Sequence, residues 1–253
     1  MFTADDFNAD GSYKAGIASQ KGLEQDGFVY GPGDIKFKNL DGNDVIDGGD
    51  GTANNHGDLK VIGNTTPRYQ YSFRLGGEWK GFDIDMFFQG VGKRDVWTQS
   101  AFVMPMMRGA DAIYDNQTNY WTEENPNANA EFPRLWPGNA GKGTISVLEK
   151  GNHNFYPQSK YLVNMAYLRF KNLTVGYTLP RNLTRKAFIE KARVYFSANN
   201  ICELINKSKA PVDPEIDSAQ GYKSADDNDY GNGTWGRIDP MYRTVSFGLQ
   251  VTF

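Results

Sequence analysis

The densest run of residues able to do chemistry lies between Asn39 and Asp50. Asn39, Asp41, Asn43, Asp47 and Asp50 fall at positions 1, 3, 5, 9 and 12 of an EF-hand-like loop, and the Val45 carbonyl falls at position 7. Calcium takes roughly six to eight hard oxygens from a sharply turning backbone, which is why Asx residues recur at every second position of such loops. Two residues depart from the pattern. Asp44 stands where a glycine normally makes the turn, and Asp50 replaces a bidentate glutamate. The spacing therefore predicts a calcium site in the weak extracellular range, about 10⁻⁴–10⁻³ M. It fits an Asx-rich solvated turn equally well.

Other reactive residues are sparse. Two histidines, His56 and His153, are too few for a His-based zinc or catalytic centre. The single cysteine, Cys202, excludes an internal disulfide. It has Glu203 beside it and no evident base, so it reads as buried and inert. Acidic clusters occur at Glu123/Glu124, Asp213/Glu215/Asp217 and Asp226/Asp227/Asp229. A glycosidase needs two carboxyls at a set separation, one with a raised pKa. Clusters on polar stretches read first as solvated charge, so a glycoside hydrolase is the weakest reading. Trp97, Tyr120, Trp121, Trp136 and Trp235 lie among Asp, Asn and Arg residues. They could stack on glycans or peptides, or pack loops together.

Composition narrows the field. The 253 residues carry a net charge of −3, which gives no reason to expect nucleic-acid binding. Mean hydropathy is −0.60, and no run of apolar residues is long enough for a membrane helix. No basic n-region followed by an apolar h-region is visible after Met1, so the sequence reads without a signal peptide. Aromatic residues make up 14% of the chain, which favours β-structure. The polar average does not exclude a membrane, because strands of a transmembrane barrel alternate and average out as polar.

The elements that position these residues are strands, read from alternation. In Tyr242 to Phe253, one face holds Val245, Phe247, Leu249, Val251 and Phe253, and the other holds small or polar residues. From Arg68 to Trp79, Tyr69, Tyr71, Phe73, Leu75 and Trp79 share a face. Lys80-Gly81 then predicts a tight turn into Phe82, Ile84, Met86 and Phe88. Tyr161 to Leu179 changes parity at Lys171-Asn172, which predicts a β-bulge. A last strand spans Ala192 to Asn200. Between these two strands, Pro180–Lys191 is a short connection with a helical turn near Leu183–Phe188.

Five strands leave links that alternate in length. Lys80-Gly81 and Pro180–Lys191 are short, whereas 92–160 and 201–241 are long, as is 1–67. Such loops are unusual in a compact soluble domain. Outer-membrane barrels pair short periplasmic turns with long extracellular loops. The expectation is thus an extracellular region over 1–67, with the Asx-rich loop at 39–50, followed by barrel strands and long extracellular loops over 68–253. Single-chain bacterial barrels have even strand numbers, so five strands read as the tail of a longer chain.

From about Gly33 onward the chain resembles SusC/RagA-type TonB-dependent outer-membrane transporters. The motifs, in order, are Gly33 to Lys38, Asn39 to Asp47, Val61-Ile62-Gly63-Asn64, Gly81-Phe82-Asp83 with Phe87-Phe88-Gln89-Gly90, and Trp121 to Ala128. Tyr167-Leu168-Arg169-Phe170-Lys171-Asn172-Leu173-Thr174-Val175-Gly176-Tyr177-Thr178-Leu179-Pro180 is the most telling stretch, and Phe247 to Phe253 closes the set.

The resemblance implies an all-β, antiparallel transmembrane barrel of about 22 strands around a plug, of which this chain supplies about five. It implies import of glycans or peptides, with no enzymatic activity. The implied partners are a SusD-like surface lipoprotein as a lid, the TonB complex through a missing N-terminal region, outer-membrane lipid and the barrel assembly machinery, for which the strand ending in Phe253 would be the signal. Calcium is the one cofactor in view. The chain reads as the C-terminal quarter or so of such a transporter. The rival from another class is a soluble secreted all-β glycan-binding module.

Overall fold

A computed structural model describes residues 1–24, 28–98, 100, 102–106, 112–136, 153–208, 210, 212–215 and 239–253. The chain divides into two compact units. The first comprises Met1–Ile62 and Thr98–Leu162, and the second comprises Gly63–Trp97, Val163–Lys223 and Thr234–Phe253, each as far as it is described.

The second unit is built on one antiparallel sheet. Its strands are β1 (Gln70–Trp79), β2 (Phe82–Val91), β5 (Tyr167–Thr178), β6 (Lys191–Asn206) and β7 (Thr244–Thr252), in the order β1-β2-β5-β6-β7. The short strands β3 (Asp95–Val96) and β4 (Val163–Asn164) pair separately. The sheet is open, with β1 and β7 at its edges. The β1–β2 hairpin closes through Lys80 at φ 48° and Gly81 at φ 90°. Two successive left-handed residues match the right-handed twist of the flanking strands.

The expected bulge in β5 is present. Phe87 pairs with Asn172 and Phe88 with Phe170, which leaves Lys171 without a direct partner on β2. The extra residue brings Phe170 and Leu173 onto one face despite their opposite parity. On the other side of β5 the register shifts again, between Phe170 and Asn172, where Asn200 takes φ 51°. β6 runs on to Asn206, six residues past its expected end. The helical turn between β5 and β6 is α1 (Arg181–Thr184), continued as a 3₁₀ turn over Arg185–Ala187.

The first unit has no long strand among its described residues. Its core is aromatic, with Phe2, Phe28 and Tyr30 packed against Phe7, Tyr13, Ile17, Leu23, Phe37 and Trp136. The segment ahead of β1 and the long segment after β2 therefore share one core.

Candidate functional site

The sheet carries two contrasting faces. Direct antiparallel partners lie on the same side of a sheet. On one side three apolar rows cross all five strands, interrupted only by Gly77. They are Trp79–Phe82–Tyr177–Val194–Leu249, Gly77–Ile84–Val175–Phe196–Phe247 and Leu75–Met86–Leu173–Ala198–Val245. A fourth row, Phe73–Phe88–Phe170–Cys202, crosses four strands. Its rings stack, with centroids 4.6 Å apart at both Phe73–Phe88 and Phe88–Phe170. Most of this face has no cover: Trp79 is 69% exposed and Phe247 82%. Val245, Leu249 and Phe253 are exposed as well, and Val251 is half-buried. Cys202 is exposed on this face, not buried. The bulge in β5 and the matching shift in β6 turn it onto the apolar row.

The opposite face is mostly polar and carries several cross-strand contacts. Arg193 on β6 reaches across β5 to Asp83 on β2 with two hydrogen bonds, one of them 2.8 Å from Nε. The crossing is possible because Gly176 lies beneath it; a Cβ there would sit 2.4 Å from Arg193 Nη2 and from Asp83 Oδ2. In the same row Tyr195 lies flat over Gly248, where a Cβ would meet its ring at 2.2 Å. Arg74 donates to Asp85 at 2.6 Å. Asn172 donates to Asn199, which donates to Thr244.

A second charge cluster ties loop residues to this polar face. Arg169 on β5 has a buried side chain and donates to Glu203 at 2.5 Å, to Asp213 at 2.6 Å and to Glu215 at 2.9 Å. Lys171 donates to the other Glu215 oxygen at 2.6 Å. Two cations thus face three carboxylates. Burial pushes the Asp213 carboxyl upward. Hydrogen bonds from Arg169 and from the Glu215 and Met241 amides outweigh it and hold the group below the ordinary carboxylate range. Asp213 and Glu215 were legible as an acidic cluster, whereas their partner Arg169 was visible only as part of a motif. Their role here is structural, since the oxygens are already engaged.

In the first unit the hub is Asp34, fully buried. It accepts from Gly31 N at 2.9 Å, Arg134 Nη2 at 2.5 Å, Trp136 Nε1 at 2.8 Å and Asn154 Nδ2 at 2.8 Å. Gln20, also fully buried, bridges Ile35 O and Phe37 N. Tyr30 donates to His153 O at 2.6 Å, and burial raises its phenol. The candidate aromatics take part in this packing. Trp121 is buried over Gly33, where a Cβ would meet the indole at 2.3 Å. Trp136 stacks under Arg134 and packs on Phe28. Tyr120 is half-buried and bridges Phe132. Trp97 belongs to the other unit, where it is buried. Glu123 and Glu124 are exposed. Trp235, Asp217, Asp226, Asp227 and Asp229 lie outside the described residues.

The Asx-rich loop spends its oxygens on its own backbone. Asn39 Oδ1 accepts from Gly42 N, Asp41 from Asn43 N, Asn43 from Val45 N and Asp47 from Gly49 N. Asp58 closes the loop by accepting from Leu40 N at 2.5 Å and Asp47 N at 3.0 Å. Hydrogen bonds from the Thr52 hydroxyl and amide hold the Asp50 carboxyl below its ordinary value. Left-handed residues fall at Gly42 and Gly49, positions 4 and 11 of the motif, and not at Asp44. Among the described residues no three Asp, Glu, His or Cys side chains converge as a metal-binding group.

No protein-family profile matches the chain. Two curated proteins of Formosa agariphila are similar to it. TonB-dependent receptor P3 is 28% identical over 226 residues, 88% of this chain and 19% of that protein. TonB-dependent receptor P26 is 26% identical over 199 residues, 78% of this chain and 18% of that protein. The chain thus spans about a fifth of the length of these relatives. Among solved structures, that of the RagAB peptide transporter matches with a TM-score of 0.51 and 24% identity, over 76% of this chain and 18% of the other. That likeness bears on the fold: an antiparallel sheet with one exposed apolar face is what a stretch of barrel wall looks like. The relatives are receptors and transporters rather than enzymes. The chain, with its ordered motifs, is thus similar to a stretch of TonB-dependent receptors, and its open two-faced sheet has the fold of a stretch of the RagAB transporter.

Proposed function

We propose that this chain forms part of the barrel wall and extracellular vestibule of a TonB-dependent outer-membrane importer. In this reading Val245, Phe247, Leu249, Val251 and Phe253 face lipid, and the Asp83–Arg193 row faces the lumen. The supporting observation is the set of apolar rows crossing the sheet with little cover. A soluble protein rarely exposes a contiguous apolar patch larger than a few hundred Å², and these rows cross five strands. β1 and β2, at ten residues each, have the length of a tilted membrane strand. The soluble glycan-binding reading would leave this face in water. Fractionation of the full-length receptor tests the proposal. Recovery only in detergent-solubilised outer membrane is the expected result, and a monodisperse soluble product without detergent rejects it.

The finer reading follows the family resemblance. The cargo is a glycan or peptide, a SusD-like surface lipoprotein covers the loops, and TonB acts through a part of the receptor outside this chain. Uptake of fluorescent oligosaccharides and oligopeptides by cells lacking the receptor separates the two cargo classes, and loss of neither rejects both. For the 39–50 loop we propose weak calcium binding through Asn39, Asp41, Asn43, Asp47, Asp50 and the Val45 carbonyl. Chelation is then expected to expose this loop to protease, and absence of bound metal at millimolar calcium rejects the site.

A further inference from the structure

One end of the sheet gathers cations and exposed apolar side chains that the wall itself does not use. Here Thr178 N donates to Gly81 O at 2.7 Å and Glu190 N to Thr252 O at 2.8 Å. The 80–81 turn, the connection between β5 and β6, and the end of β7 are therefore joined. That connection reads Arg181-Asn182-Leu183-Thr184-Arg185-Lys186-Ala187-Phe188 and buries only Thr184. Leu183 is 53% exposed and Phe188 93%. Phe188 holds φ 58°, a left-handed conformation that bulky side chains rarely adopt.

Around these two side chains stand Arg181, Arg185 and Lys186, with Lys80 and Lys191 on the joined elements. None of the five makes an ion pair among the described residues. The carboxylates at this end are Glu78, Glu190 and Asp83, and Arg193 already engages Asp83. The row Trp79–Phe82–Tyr177–Val194–Leu249, exposed except for the half-buried Tyr177, carries the apolar face up to this same end. Unpaired cations beside protruding apolar groups fit the boundary between hydrocarbon and anionic headgroups. The apolar parts enter the acyl region there, and the cations hold phosphate.

We infer that this rim is a docking surface for anionic phospholipid. Leu183 and Phe188 enter the acyl boundary, and Arg181, Arg185 and Lys186 hold headgroup phosphates. The inference rests on the barrel-wall reading and adds a lipid preference to it.

The test uses the full receptor in a Cys202→Ala background otherwise free of accessible cysteine. A fluorophore is placed at Phe188→Cys or at Phe247→Cys, in bilayers mixing phosphatidylcholine and phosphatidylglycerol. Quenching is read with a nitroxide on one lipid or the other. At position 188 the phosphatidylglycerol quencher is expected to act more strongly, and high salt is expected to remove the difference. Arg185→Gln and Lys186→Gln are each expected to lower the preference about fivefold. At position 247 both quenchers are expected to act equally. Equal quenching at 188, or none there while 247 is quenched, overturns the docking surface and leaves the wall standing. No quenching at 247 overturns both.

Discussion

Gly176 shows how a single missing side chain organises the polar face. It lies under the Asp83–Arg193 ion pair, which links β2 to β6 over the strand between them. Gly176→Ala places a methyl where those side chains cross, so the pair must part or the backbone must shift. The expected cost is about 1–3 kcal/mol, read as a lower denaturant midpoint of the folded receptor in lipid. On the other face the informative change is Phe247→Arg. If that face meets hydrocarbon near the midplane, the substitution costs roughly 2–4 kcal/mol, and unfolding from liposomes measures it. An unchanged midpoint would reject lipid contact at this residue. Phe247 was readable from alternation alone, because its neighbours in the strand set its facing. The role of Gly176 was not, since its partners lie on two other strands. Asp34 is a further case, because its hydrogen-bond partners Arg134 and Asn154 stand 100 and 120 residues away.

At the scale of elements, the β5 bulge was legible and the β6 extension was not. Leu168 and Phe170 disagree in parity with Leu173 and Val175, and an inserted residue is the simple repair. In β6 the residues after Asn200 shift register twice against β5. Their alternation therefore breaks where the strand continues, and the break reads as an end. The loop residues Asp213 and Glu215 then fold back onto Arg169. Because the Asp213 carboxyl titrates below its unfolded value, its contribution is fully present above the ordinary carboxylate range. It is lost as pH falls through the folded value. The protection of amides over 212–215, corrected for intrinsic exchange, is expected to be high at neutral pH and to fall only in acid. Asp213→Asn should bring that loss of protection to neutral pH, at a cost of about 1–3 kcal/mol. Exchange that stays slow in the variant would mean that Glu215, through Arg169 and Lys171, holds the segment alone.

For the whole molecule, the division into two compact units was the hardest feature to foresee. Segments before β1 and after β2 share an aromatic core, and nothing local in either announces the other. The wall was easier to read, because each strand displays its two faces in its own sequence. Deleting Phe253 is expected to lower outer-membrane yield of the full receptor if the last strand is read by the assembly machinery. Unchanged yield would leave that strand as wall only.

The open sheet also sets a rule of direction. Its five strands alternate, so β1 and β7 point the same way. Rolled up alone, the sheet would have to join those edges in parallel. Copies arranged side by side with a common orientation would meet the same mismatch at every junction. An all-antiparallel ring that includes this sheet therefore needs an odd number of further strands, which a copy in the same orientation cannot supply. With all strands inserted in one orientation, the partner that completes the wall cannot be another copy of it.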